Sequence, residues 1–90
     1  MRFVMIGRDG PEGQEKRKRC REGHIQRLKT LDKEHKLILA GPFADKSGSL
    51  IVFEAESFEA AKAFAAEDPY VRESVFESYE VRPFKQVFPE

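Results

Sequence analysis

Three short runs in this chain, Phe3-Val4-Met5-Ile6, Leu37-Ile38-Leu39-Ala40 and Leu50-Ile51-Val52-Phe53, are apolar at every position. Successive residues of a β-strand point to opposite faces, so each run demands apolar cover on both sides. The chain has two stretches with the period of an amphipathic helix, enough to cover one face of a sheet built from such strands. The other face calls for a partner.

Reading in order, the spacing predicts a first strand over residues 2–8 and then the turn cluster Asp9-Gly10-Pro11-Glu12-Gly13. A helix over about 13–34 follows, with Glu12 and Glu15 at its positive end. Cys20, His24, Leu28, Leu31 and His35 recur at i, i+4, i+8, i+11 and i+15, one stripe of that helix, so His24 is expected to point inward. Gly23 sits beside it at a cost of about 1 kcal/mol against Ala, which predicts close packing or local distortion there.

Residues 36–43 read as a second strand closed by Gly41-Pro42, residues 44–48 as a polar loop, and 49–55 as a third strand in a hairpin with the second. Ser57 is the expected N-cap of a second helix whose buried face is Phe58, Ala61, Phe64 and Ala65. Asp68 emerges at the end of that face. Pro69 disfavours helical geometry at Asp68 and suits the start of a short helical turn over 69–74. The last strand covers about 75–84, and the tail 85–90 is expected to reach a neighbour through Val87 and Phe88.

Strand, helix, strand, strand, helix, strand is the order of a ferredoxin-like α+β fold, with two helices on one face of an antiparallel sheet. Its second apolar sheet face predicts a homodimer in which two sheets close an α+β barrel around an internal cavity. Ninety residues make a single domain, 1–90, with a modest core.

Sixteen basic side chains balance sixteen acidic ones, which removes any global pull toward nucleic acid or an anionic membrane. The third strand also lacks the spaced aromatics on which an RNA-recognition domain stacks bases. No stretch approaches the ~20 apolar residues of a membrane span. With one cysteine and a first strand that begins at the N-terminus, the sequence reads as cytoplasmic.

Chemistry-bearing candidates are few. His24 is an inward histidine that serves either as a satisfied core residue or as an acid/base group. Asp68 suits an N-cap and could accept from a histidine as well. Arg21, one turn before His24, could pair with a substrate carboxylate or lie on the surface. Ser49 and Tyr70 are candidate ligand donors or, respectively, a turn residue and a packing aromatic. The run Lys16-Arg17-Lys18-Arg19 reads as a solvated helix surface, and Cys20 as a small buried hydrophobe. His24 and His35, eleven residues apart without a local Cys or carboxylate pattern, are a weak metal signal, and no metal is expected.

Taken together, Arg21-Glu22-Gly23-His24 with Leu28, Ala40-Gly41-Pro42, Gly48-Ser49, Glu54, Ser57, Glu59, Ala60-Ala61, Asp68-Pro69-Tyr70 and Val81-Arg82-Pro83-Phe84 resemble the YciI-like (YCII-related) family. That family of small dimeric α+β barrel proteins is similar to muconolactone isomerase and includes a chloromuconolactone dehalogenase. The resemblance implies a pocket near the subunit interface holding a His and Asp pair, here His24 and Asp68. It implies a cofactor-independent acid/base enzyme of isomerase or elimination/dehalogenase type, acting on a small organic acid or lactone. In this reading His24 is the acid or base, Asp68 orients it, and Arg21, Ser49 and Tyr70 bind the ligand. The alternative is a non-catalytic module that holds a small metabolite in the same cavity; a haem-binding or oxygen-using relative is a third reading. The family often has a small residue and Gly after Asp-Pro-Tyr, where this chain has Arg72-Glu73-Ser74.

Overall fold

In the computed structural model, which describes residues 1–89, the chain folds as β1 (Arg2–Asp9), α1 (Gly13–Lys33), β2 (Leu37–Pro42), β3 (Gly48–Glu54), α2 (Phe58–Ala66), α3 (Pro69–Arg72) and β4 (Phe76–Phe84). The four strands make one antiparallel sheet in the order β2-β3-β1-β4. This is the α+β, ferredoxin-like arrangement expected from the order of elements, and β2 and β3 form the expected hairpin.

Strand alternation decides what the helices cover. Phe3 and Met5 of β1 and Ile51 and Phe53 of β3 point to the helix side and are fully or almost fully buried with Leu31, Ala61, Ala65, Tyr70, Val75 and Phe76. Val4, Ile6, Leu50 and Val52 belong to the opposite face, where Val4 lies across from Val52 and Ile6 from Leu50. No helix among the described residues lies over that face, although Val52 is already buried by its sheet neighbours. Leu39 of the edge strand is half exposed.

The caps explain where the helices sit. Ser57 accepts from the Ala60 N–H at 3.0 Å, as its position before α2 predicts. α1 begins at Glu12 without a side-chain cap and keeps Glu15 in its first turn. It ends one residue earlier than the periodicity suggests. His35 lies beyond the helix with φ 61°, in the left-handed conformation that closes many helices, and it is exposed. The stripe predicted through His35 therefore stops at Leu31, because the terminating turn rotates the next side chain away from the core.

At Gly23, a Cβ would lie 3.4 Å from the Pro69 ring, an ordinary van der Waals contact, so the packing of α1 on α3 does not by itself require glycine there. Gly48 is more constrained: a Cβ there would meet the Gly7 carbonyl oxygen at 1.9 Å, across the β1–β3 pairing. In the tail, Val87 and Phe88 are 65% and 75% exposed, and Glu90 lies outside the described residues. No described helix is long and apolar enough to cross a membrane.

Candidate active site

Asp68 occupies the joint between α2 and α3 and is completely buried. Its backbone is extended (φ −65°, ψ 134°), as a residue before proline prefers, and this points its carboxylate back over the first turn of α3. Oδ1 accepts from the Tyr70 N–H at 2.8 Å, a cap. The same carboxylate faces His24 of α1, with Nδ1 2.9 Å from Oδ1 and 3.0 Å from Oδ2. Cap and histidine partner thus coexist on one carboxylate.

A carboxylate only accepts, so Nδ1 carries the proton and donates to Asp68. Nε2, which has no hydrogen-bond partner among the described residues, keeps its lone pair when the ring is neutral. His24 is 6% exposed, and its ring lies flat against that of Tyr70, 3.9 Å between centroids and 8° from parallel. Tyr70 meets Phe76 edge-on at 5.7 Å. The imidazole is fixed in both tilt and tautomer.

His24 and Tyr70 line a cavity of about 240 Å³ with Arg17, Arg21 and Ser49, closed on its apolar side by Leu28 and Ile51. All five residues singled out in the sequence therefore meet at one place: four line the cavity and Asp68 stands behind His24. None of Arg72, Glu73 and Ser74 lines it. Ser74 instead takes φ 60°, the conformation for which glycine is suited.

Arg17 corrects the reading of its basic run as solvated surface. Its guanidinium donates to both oxygens of Asp9, at 2.7 and 2.8 Å, and to Ser49 Oγ at 2.8 Å. It also lies 4.9 Å from the centre of the Tyr70 ring. The hydrogen bond to Asp9 raises the proton affinity of Arg17 further, more than burial lowers it. Four consecutive helical residues point in nearly all directions, so one of the four had to face inward; its partner Asp9, eight residues earlier across a turn, is not visible as a pair in the sequence.

Burial raises the pKa of the Tyr70 phenol, against the opposing pull of Arg17 and Arg21, so near neutrality the phenol is an uncharged donor. Arg21 is exposed and has no ion-pair partner among the described residues. The carboxylates nearest the cavity are already matched, Asp9 by Arg17 and Asp68 by His24 and by Arg27 at 3.4 Å. The cavity therefore has a positive rim and an apolar wall.

A larger cavity, about 410 Å³, lies along Leu31, Phe53 and Phe64. It contains no histidine, and its Glu34 and Glu54 are paired with Lys36 and Arg2. The smaller cavity has the chemistry. Among the described residues no group of His, Cys, Asp and Glu side chains is placed to hold a metal ion.

Comparison with known proteins agrees with this fold. The chain is 40% identical to an uncharacterized protein of Haemophilus influenzae, over an alignment of 98 positions that takes in 98% of this chain and all of the relative. Protein YciI of Escherichia coli O6:H1 gives the same identity and the same coverage. Among solved structures, the fold is similar to that of the 5-chloro-2-hydroxyhydroquinone dehydrochlorinase TftG of Burkholderia phenoliruptrix AC1100 in complex with 2,5-dihydroxybenzoquinone. The TM-score is 0.82 and the identity 26%, over 96% of this chain and 95% of the other. Residues 1–85 match the YCII-related domain, and the chain belongs to that family.

Proposed function

We propose that this chain is a cofactor-independent acid/base catalyst that isomerises, or eliminates a leaving group from, a small anionic organic acid, lactone or hydroxylated ring. The observation that carries the reading is His24, fixed by Asp68 through Nδ1 at 2.9 Å while its ring lines a partly open cavity with a positive rim. Nε2 takes a proton from carbon, and the electron pair left behind becomes a double bond. In elimination that pair expels the leaving group. In isomerisation the imidazolium returns the proton at a second carbon. Asp68 stabilises the imidazolium in either case.

Binding falls to the remaining side chains. Arg21 pairs with a ligand oxyanion, the Tyr70 phenol donates, and Ser49, whose oxygen already accepts from Arg17, donates its hydroxyl proton. The structurally similar TftG, a dehydrochlorinase seen with a dihydroxybenzoquinone, supports elimination on a small oxygenated ring as one form of this chemistry.

The functional unit is a homodimer. Val4, Ile6, Leu50 and Val52 form an apolar centre on the sheet face that carries no helix, flanked by both signs of charge in Arg2, Glu54, Glu80 and Arg82. Such a face is self-complementary about a two-fold axis.

Turnover of 5-chloro-2-hydroxyhydroquinone and of small lactones, followed by chloride release and absorbance, tests the reading. His24→Ala lowers kcat by about 10²–10⁴ on any compound turned over. An unaffected rate in that variant contradicts the proposal. Binding of 2,5-dihydroxybenzoquinone without turnover of any compound favours the non-catalytic module.

A further inference from the structure

The proposed mechanism leaves Arg27 without a task. It sits three residues after His24 on α1, and its guanidinium is held at three points. Nη2 donates to the Phe64 carbonyl at 2.7 Å, one of the carbonyls that the end of α2 leaves without a helical partner. The guanidinium lies 4.0 Å from the centre of the Phe64 ring. Nη1 stands 3.4 Å from Asp68 Oδ2 and, although buried, makes no hydrogen bond.

Asp68 therefore has two basic neighbours that use it differently. His24 holds it through short hydrogen bonds, and Arg27 through charge alone. The other charged or titratable groups around the pair are Arg17, Arg21 and Tyr70 at the cavity and Glu67 near Arg27, with Ser49 uncharged on β3. Burial lowers the proton affinity of Arg27, and Asp68 followed by Glu67 opposes that effect, yet a guanidinium stays charged throughout the working range.

Resting on the reading of His24 and Asp68 as a working pair, we propose that Arg27 is a positioning residue: it matches the Asp68 charge permanently and thereby limits how strongly that carboxylate can hold a proton on His24. With Arg27 in place, a buried carboxylate that would otherwise need the imidazolium as its counterion is already neutralised. Taking up a proton then leaves the three groups with one net positive charge. That state is best balanced when the substrate carries a new negative charge, as an enolate or phenolate does once its C–H bond has been broken. Arg27 thus couples proton uptake at Nε2 to charge development on the ligand.

NMR titration of the His24 ring in the full chain tests this, with exposed His35 as the comparison in the same spectra. Arg27→Met keeps an apolar stem over Phe64 and removes the charge; the His24 midpoint then moves up by about one pH unit, while His35 stays in place. Arg27→Lys restores the charge and brings the midpoint back toward wild type, which a packing role would not do. Asp68→Asn moves it down. An unmoved midpoint in Arg27→Met, or a Lys variant that behaves like the Met variant, overturns the role of Arg27 alone. An unmoved midpoint in Asp68→Asn overturns the pair as well. Arg27→Gln is read in the same way as the Met variant if the latter does not fold.

Discussion

The imidazole of His24 and the phenol ring of Tyr70 are stacked 3.9 Å apart and 8° from parallel, and the Asp68 carboxylate binds both residues, one at its ring nitrogen and the other at its backbone N–H. One carboxylate therefore fixes the helical turn that carries Tyr70 and the histidine that packs on it. Position and protonation are controlled from the same point.

Because of that double role, Asp68→Ala and Asp68→Asn should differ. Alanine removes the cap and leaves Arg27 beside a vacated, buried site, at an expected loss of about 3–5 kcal/mol. Asparagine retains an oxygen for the Tyr70 N–H and should lose less than half as much. Urea unfolding of both variants measures the difference.

Tyr70→Phe keeps the stack and removes the phenol. Ligand affinity should fall about fivefold, the worth of one neutral hydrogen bond, with little change in stability at neutral pH. The pH dependence is the sharper readout. Burial raises the folded pKa of Tyr70 above its ordinary value of 10.0, so its contribution is fully present below pH 10.0 and is lost as pH rises toward the folded value. Alkaline unfolding should be less steep above that point in Tyr70→Phe than in wild type.

For the largely buried side chains of Arg17 and Asp9, 14% and 6% exposed in residues of intermediate burial, removing one partner strands the other. Arg17→Met should lower stability by about 3 kcal/mol. Combining it with Asp9→Asn should recover part of that loss, and a double-mutant cycle in thermal unfolding checks the coupling.

Two backbone positions should respond in opposite directions. Gly48→Ala places a methyl group into the Gly7 carbonyl and should disrupt the β1–β3 pairing, seen as lost amide protection along both strands. Ser74→Gly relieves a left-handed residue at φ 60° and should stabilise by about 1 kcal/mol.

On the uncovered sheet face, Ile6→Lys places a charge at the apolar centre of the proposed dimer interface. Sedimentation should show a dimer for wild type and a monomer for the variant. A wild-type monomer at every concentration contradicts the barrel.

Much of this architecture is legible in the residues. Short continuous apolar runs around Met5 and Ile51 and the helical period through Phe64 and Ala65 specify the sheet and its covering helix, because both are local patterns. Asp68-Pro69 also announces its cap, since proline restricts the residue before it. What the sequence conceals depends on rotation and long-range pairing. His35 falls on the stripe of α1 by arithmetic alone and leaves it because the helix ends in a left-handed turn. Arg17 looks like one of four solvated cations until β1 brings Asp9 against it, and nothing in the local pattern singles out Arg27, which α2 meets with the Phe64 carbonyl. Both arginines take their meaning from a partner that the local pattern does not specify.

The most direct test of the account is the tautomer of His24, read from ¹⁵N shifts and ring-proton couplings at a pH where the ring is neutral. The geometry predicts the Nδ1–H form, opposite to the preference of free histidine, and a loss of that bias in Asp68→Asn. A neutral ring protonated at Nε2 would contradict the account, because it would leave no lone pair facing the cavity to take a proton from the ligand.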